Sequence, residues 1–119
     1  GYHNHQQEYE NLNGKYPIDV LLEKCKTENV FFEMDTLHVA AAGESPVKFA
    51  EKYARRIPIL HARDTDGTND CTIGSGMLDF PTILSVCSTL EWIVVENCNI
   101  GFNEKELADS ATYLRQILK

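Results

Sequence analysis

The sequence has no basic cluster, no CxxC pair and no apolar run approaching the ~20 residues that span a bilayer. Eleven Lys and Arg stand against eighteen Asp and Glu, a net charge of −7. Without a basic strip there is nothing to grip a phosphodiester backbone, so neither nucleic acid nor a membrane is an expected partner. With no CxxC spacing, Cys25, Cys71, Cys87 and Cys98 suggest neither a zinc knuckle nor a redox pair. They are expected to be reduced thiols of a cytoplasmic protein, with Cys25 and Cys87 acting as small hydrophobes on helices. What the sequence does have is 119 residues of ordinary globular composition, 43% apolar and 24% charged. That is enough for a single domain, residues 1–119, with a core of its own.

Apolar segments alternate between strand-like and helix-like patterning four times. The expected strands are Gly1 to His5, Val30 to Asp35, Ile57 to His61 and Trp92 to Glu96. Between them, Pro17 to Glu28 carries Ile18, Leu21, Leu22 and Cys25 on one helical stripe. Ser45 caps a helix with Pro46 in its first turn, running to about Arg55 and burying Val47, Ala50 and Tyr53 or Ala54. A third helix covers about Pro81 to Leu90. Asn103 and Glu106 make a capping pair for a last helix with a stripe at Leu107, Ala111, Leu114 and Leu118. The long polar stretch from Asp64 to Gly76 reads as a functional or mobile loop. Within it, Gly74-Ser75-Gly76 reads as a turn rather than a phosphate cradle.

Strands alternating with helices predict parallel pairing with right-handed crossovers. Strands two to four are almost wholly apolar, which predicts cover on both faces. Each strand ends in a polar residue that can bind a metal: His3, Asp35, His61 and Glu96. These are 32, 26 and 35 residues apart, and a (β/α)₈ barrel of ~250 residues repeats about every 31. Four units make half a barrel. Parallel strands point their C-terminal ends at one rim, so the four side chains are expected to converge there.

Two imidazoles and two carboxylates form a mixed N/O set suited to Mn²⁺, Co²⁺, Zn²⁺ or Fe²⁺, and less so to Ca²⁺, which prefers oxygen alone. His5 lies on the same side of its strand as His3, so either can be the first ligand. His38, beyond Asp35, is better placed to touch substrate. Arg63 and Asp64 are candidates to bind a substrate oxygen or orient a neighbour. Cys98, two residues after Glu96, reads as buried and inert.

Taken in order, Tyr2-His3-Asn4-His5, Glu33-x-Asp35-Thr36-x-His38 with Ala42-Gly43 after it, Arg56-Ile57-Pro58-x-x-His61-x-Arg63-Asp64, Ile73-Gly74-x-Gly76 and Val95-Glu96 resemble the xylose-isomerase-like TIM barrel superfamily. Within it the sequence is most similar to the sugar phosphate isomerase/epimerase group, which includes inosose dehydratases and ketose 3-epimerases. The resemblance runs along the whole chain and corresponds to units five to eight, the C-terminal half-barrel.

The resemblance implies a divalent metal (Mn²⁺, Zn²⁺, Co²⁺ or Mg²⁺) on His3, Asp35, His61 and Glu96, with His38 at the substrate. It implies proton abstraction from a sugar or sugar phosphate through an enediolate, with Glu96 as the clear carboxylate base. Ketose 3-epimerases of this superfamily usually have Glu on the first of these strands. His3 in that place disfavours two-base epimerisation unless Glu8 supplies the second carboxylate. A dehydratase or other lyase acting on a keto-sugar or inosose is the alternative reading, as is a non-catalytic half-barrel remnant. Arg63 stands where relatives often have Lys. The outer strands would be open edges, so self-association is also expected.

Overall fold

A computed structural model describes residues 1–26, 28–98, 101 and 103–119. Four short strands, β1 (Tyr2–His3), β2 (Phe32–Asp35), β3 (Ile59–Ala62) and β6 (Trp92–Val95), form one sheet in the order β1-β2-β3-β6, every pair parallel. The helices between them are α1 (Pro17–Lys24), α2 (Thr36–Ala41), α3 (Pro46–Tyr53) and α4 (Phe80–Val86), with α5 (Glu104–Ile117) after β6. This is the βα alternation of half a TIM barrel, strands inside and helices outside. Among the described residues no helix is long and apolar enough to cross a membrane.

One face of the sheet makes the core. Phe32, Met34, Leu60 and Ala62 are fully buried against Ile18 and Leu22 of α1, Ala50 of α3, and Phe80 and Ile83 of α4. Phe49 of α3 sets its ring edge-on to Phe32 and to Tyr9, with centroids 5.6 and 5.2 Å apart. The other face is not covered as the apolar run of these strands led one to expect. Trp92 is 66% and Val94 39% exposed, and they share that face with Glu33, Ile59 and His61 by register. This face mixes apolar and polar side chains, as the interior wall of a barrel does near its rim.

Several boundaries differ from the periodicity, each for a local reason. The first helix ends at Lys24 rather than Glu28; Thr27, in the expected extension, lies outside the described residues. α2 was not foreseen. Asp35 starts it by accepting the backbone N–H of His38 on Oδ1, at 2.9 Å. α3 has the expected Ser45 cap and Pro46 in its first turn but buries Phe49 with Ala50, and it ends at Tyr53 in a 3₁₀ turn.

α4 begins earlier than expected because the Asp79 carboxylate accepts from the Thr82 N–H. α5 has the expected Asn103–Glu106 capping box, but its stripe is rotated. Ser110 and Leu114 are buried and Tyr113 and Ile117 pack on the core, whereas Leu107 and Leu118 are exposed. The long polar stretch folds into a small antiparallel hairpin, β4 (Asp64–Thr65) with β5 (Asp70–Cys71).

Candidate metal centre

Parallel strands bring their C-terminal residues to one rim, and here they bring His3, Asp35, His61 and Glu96 together. His3 Nε2 lies 3.3 Å from Asp35 Oδ2 and 3.3 Å from His61 Nδ1. His61 Nδ1 is 3.8 Å from Asp35 Oδ2 and 3.0 Å from Glu96 Oε2. Donor atoms of His3, Asp35 and His61 all fall within 4.8 Å of one another. An ion bonded at ~2.0–2.2 Å holds neighbouring donors about 3.0–3.4 Å apart. Three of the four spacings, at 3.0–3.3 Å, fall in that range and the His61–Asp35 spacing of 3.8 Å lies a little outside it, so these residues fit a small divalent cation. Two imidazole nitrogens 3.3 Å apart between two carboxylates need a hydrogen or a metal ion among them, because lone pairs alone would repel.

Each donor is fixed from behind. Asp35 is fully buried; its Oδ1 caps α2, which leaves Oδ2 for the cluster. Asn4, also fully buried, holds the ends of β1 and β2 together. Its amide accepts the Asp35 N–H at 2.8 Å and donates to the Asp35 carbonyl at 3.3 Å. Thr36 does the same between β2 and β3, donating its hydroxyl to the Arg63 carbonyl at 2.6 Å and accepting the Arg63 N–H at 3.0 Å. Neither role has a sequence signature, because each depends on which strand ends lie side by side.

The choice between His3 and His5 resolves spatially. His3 reaches the cluster, while His5 begins the 3₁₀ turn Gln6–Tyr9 with its side chain 54% exposed. Its ring stacks on His3 with centroids 5.1 Å apart. His5 and His38 line a cleft of about 600 Å³ with Gln6, Gln7, Tyr9 and Glu10. Burial pushes the His38 imidazole down; Asp35 opposes this, but Arg63, His5 and His3 reinforce it, and His38 is held below its ordinary value. For Glu96 burial acts upward, but the thiol hydrogen bond from Cys98 and the charges of His61, Arg63 and His3 outweigh it and lower the carboxyl.

Other sequence candidates land differently. Glu8 is engaged locally: its Oε1 accepts the Tyr2 hydroxyl at 2.6 Å and its Oε2 the His5 N–H at 2.9 Å. Asp64 turns away from the rim. It is 1% exposed, and its carboxylate accepts the N–H groups of Thr65, Gly74, Gly76 and Leu78. It is therefore the organiser of its loop rather than a substrate ligand. Cys98 is exposed rather than buried, and its thiol donates to Glu96 Oε1 at 3.1 Å.

Arg63 does face the site. Its guanidinium lies among Asp35 at 3.4 Å, Asp70 at 2.8 Å and Glu96 at 3.9 Å, with His38 Nε2 3.3 Å from Nη1. Asp70 was missed by sequence reasoning. It accepts from both Nε and Nη2 of Arg63 and from the Cys98 N–H, tying hairpin, site and final loop together. Glu33 was also missed, with Oε1 3.8 Å from His61 Nε2. Its position two residues before Asp35, on the same strand face, was the available signal.

No protein-family model matches the sequence, and no curated protein matches it. Solved structures do. One, a sugar phosphate isomerase/epimerase from Parabacteroides distasonis, aligns over 99% of this chain at 26% identity with a TM-score of 0.84. Another from the same organism, also a sugar phosphate isomerase/epimerase, aligns over 99% at 25% identity with a TM-score of 0.73. In both cases this chain spans 46% of the other's length. The chain has the fold of half a TIM barrel and is similar in structure to these sugar phosphate isomerase/epimerases.

Proposed function

We propose that the whole protein is a divalent-metal-dependent isomerase or epimerase of a sugar or sugar phosphate, with this chain supplying the metal-binding half of its barrel. Abstraction of a proton α to a carbonyl, through an enediolate, is the proposed chemistry. The observation that carries the reading is the meeting of His3, Asp35 and His61 donor atoms within 4.8 Å of one another at neighbouring strand ends, with Glu96 Oε2 3.0 Å from His61 Nδ1. The metal, when bound, supplies Lewis-acid polarisation of the substrate carbonyl and its adjacent hydroxyl.

His3, Asp35, His61 and Glu96 would hold it. Glu96, lowered by its neighbours, is ionised at neutral pH and is the candidate to take up the α-proton on a carboxylate oxygen. His38, disfavoured as a cation, offers a neutral imidazole to a substrate hydroxyl. Arg63 is held rigidly between carboxylates and fixes the positions of Asp35 and Glu96. A reducing, cytoplasmic setting belongs to the proposal and is consistent with four free thiols.

The engagement of Glu8 with Tyr2 and His5 favours a second reading, a dehydratase or lyase on a keto-sugar or inosose, because it withdraws Glu8 as the second carboxylate base of a two-base epimerisation. The isolated chain has an open inner wall, so metal binding, rather than turnover, is the direct test. The purified chain is expected to retain stoichiometric Mn²⁺ or Zn²⁺ by elemental analysis, and His61→Ala and Glu96→Ala are expected to lose it. Absence of metal, or unchanged metal in both variants, would overturn the reading.

A further inference from the structure

If the isomerase/epimerase reading above holds, the charge of the substrate is set by what the loops at this rim can accept. In many (β/α)₈ barrels the loops after strands seven and eight, rich in backbone N–H groups, hold a substrate phosphate. If this chain supplies units five to eight, those are the loops after β3 and β6. The loop after β3 has such a cradle: the N–H groups of Thr65, Gly74, Gly76 and Leu78 converge on one point, and Gly74 adopts a φ of +89° to aim its own. That point is already taken by the carboxylate of Asp64, bonded at 2.8–3.2 Å. An added Cβ at Gly76 would overlap the same carboxylate, so the loop is closed tightly around an internal anion.

The side chains point the same way. Arg63 is the sole Lys or Arg between Arg56 and Lys105. Its guanidinium, 7% exposed, is bonded to Asp35 and Asp70 with Glu96 close by. A phosphate dianion approaching it would meet the carboxylate of Glu96, and the guanidinium is already paired with Asp35 and Asp70. The cleft on the other side presents His5, Gln6, Gln7, Glu10 and His38, groups suited to hydroxyls.

We infer that this rim takes an uncharged polyhydroxy ketone or aldehyde and discriminates against its phosphate ester, although the matched proteins are named for sugar phosphates. Asp64 is the specificity determinant, because it fills the loop's anion site from within.

The test is a pair of titrations of this chain with Mn²⁺ present, one with D-fructose and one with D-fructose 6-phosphate, followed by calorimetry and by backbone amide shifts. The sugar is expected to bind at least about tenfold more tightly than its ester. Discrimination below about threefold, or tighter binding of the ester, overturns the inference. So does a saturable shift of the Gly74 and Gly76 amides by inorganic phosphate alone.

In Asp64→Ala the emptied cradle is expected to gain a saturable response to inorganic phosphate at those amides. If that variant does not fold, Asp64→Asn serves, with a weaker response at Gly74 and Gly76. A folded variant that shows none overturns the assignment of Asp64. Mn²⁺ titration without sugar reports separately on the metal centre, so failure of one reading is distinguishable from failure of the other.

Discussion

Asp64 accepts four backbone N–H groups, and three of them, from Gly74, Gly76 and Leu78, lie outside any strand or helix. Removing the carboxylate leaves four N–H groups around a closed loop without their acceptor. An unsatisfied buried donor costs about 1–3 kcal/mol, and water can reach some of these. Asp64→Ala is therefore expected to lose about 3 kcal/mol in urea denaturation, partly recovered by added phosphate. A loss under about 0.5 kcal/mol would mean the cradle is unimportant to the fold. Gly74 is the second residue with a sharp requirement: at φ +89° a side chain is strained, and an added Cβ would lie 2.6 Å from the Tyr113 ring. Gly74→Ala is expected to destabilise by about 1–3 kcal/mol, read in the same assay. Asp64 stood out in the sequence as a polar residue after a strand, but its partners did not. They lie 10, 12 and 14 residues further along a loop whose path no periodicity encodes.

Among the elements, the junction of β1 with the 3₁₀ turn at Gln6–Tyr9 has a definite pH signature. The Tyr2 phenol is pushed up to about 12 by burial, by its hydrogen bond to Glu8 and by the Glu8 charge. Its folded value lies above the ordinary 10.0, so its contribution is complete below pH ~10 and is lost as pH rises towards about 12. Burial works to raise the Glu8 carboxyl, but the Tyr2 hydroxyl and nearby backbone N–H groups prevail and lower it. Its contribution is present above the ordinary 4.5 and is lost as pH falls through the lowered value. Ultraviolet titration is expected to show one tyrosine ionising near 12, absent in Tyr2→Phe. That variant should also flatten the alkaline limb of stability against pH. In α5, the Asn103–Glu106 cap was legible because a cap is a local motif. The buried stripe was not, because Leu107 and Leu118 are apolar at helical spacing yet face away from the sheet.

At the scale of the molecule, the sheet has among the described residues two unpaired edges, β1 and β6, and one uncovered face that displays Trp92 and Val94. We propose that copies of this chain associate through that wall, as the complementary half of a barrel would. Sedimentation is expected to show a mass that rises with concentration, and Trp92→Glu is expected to weaken association at least about tenfold. A monomer at every concentration removes the proposal. Trp92 is the chain's single tryptophan, so its emission should shift to the red on dilution.

The sequence by itself determined the βα order, the parallel sheet and the residues that end each strand. Those features are written in hydrophobic period, caps and spacing, all of which act over a few residues. Tertiary structure alone decided that His3 rather than His5 meets Asp35, that Asp64 closes a loop, and that Asp70 and Glu33 reach the site. It also decided that one sheet face stays open. Each of these depends on contacts between residues 7 to 58 positions apart or on the absence of a covering layer, and of them only Glu33 left a local trace, its place on the same strand face as Asp35.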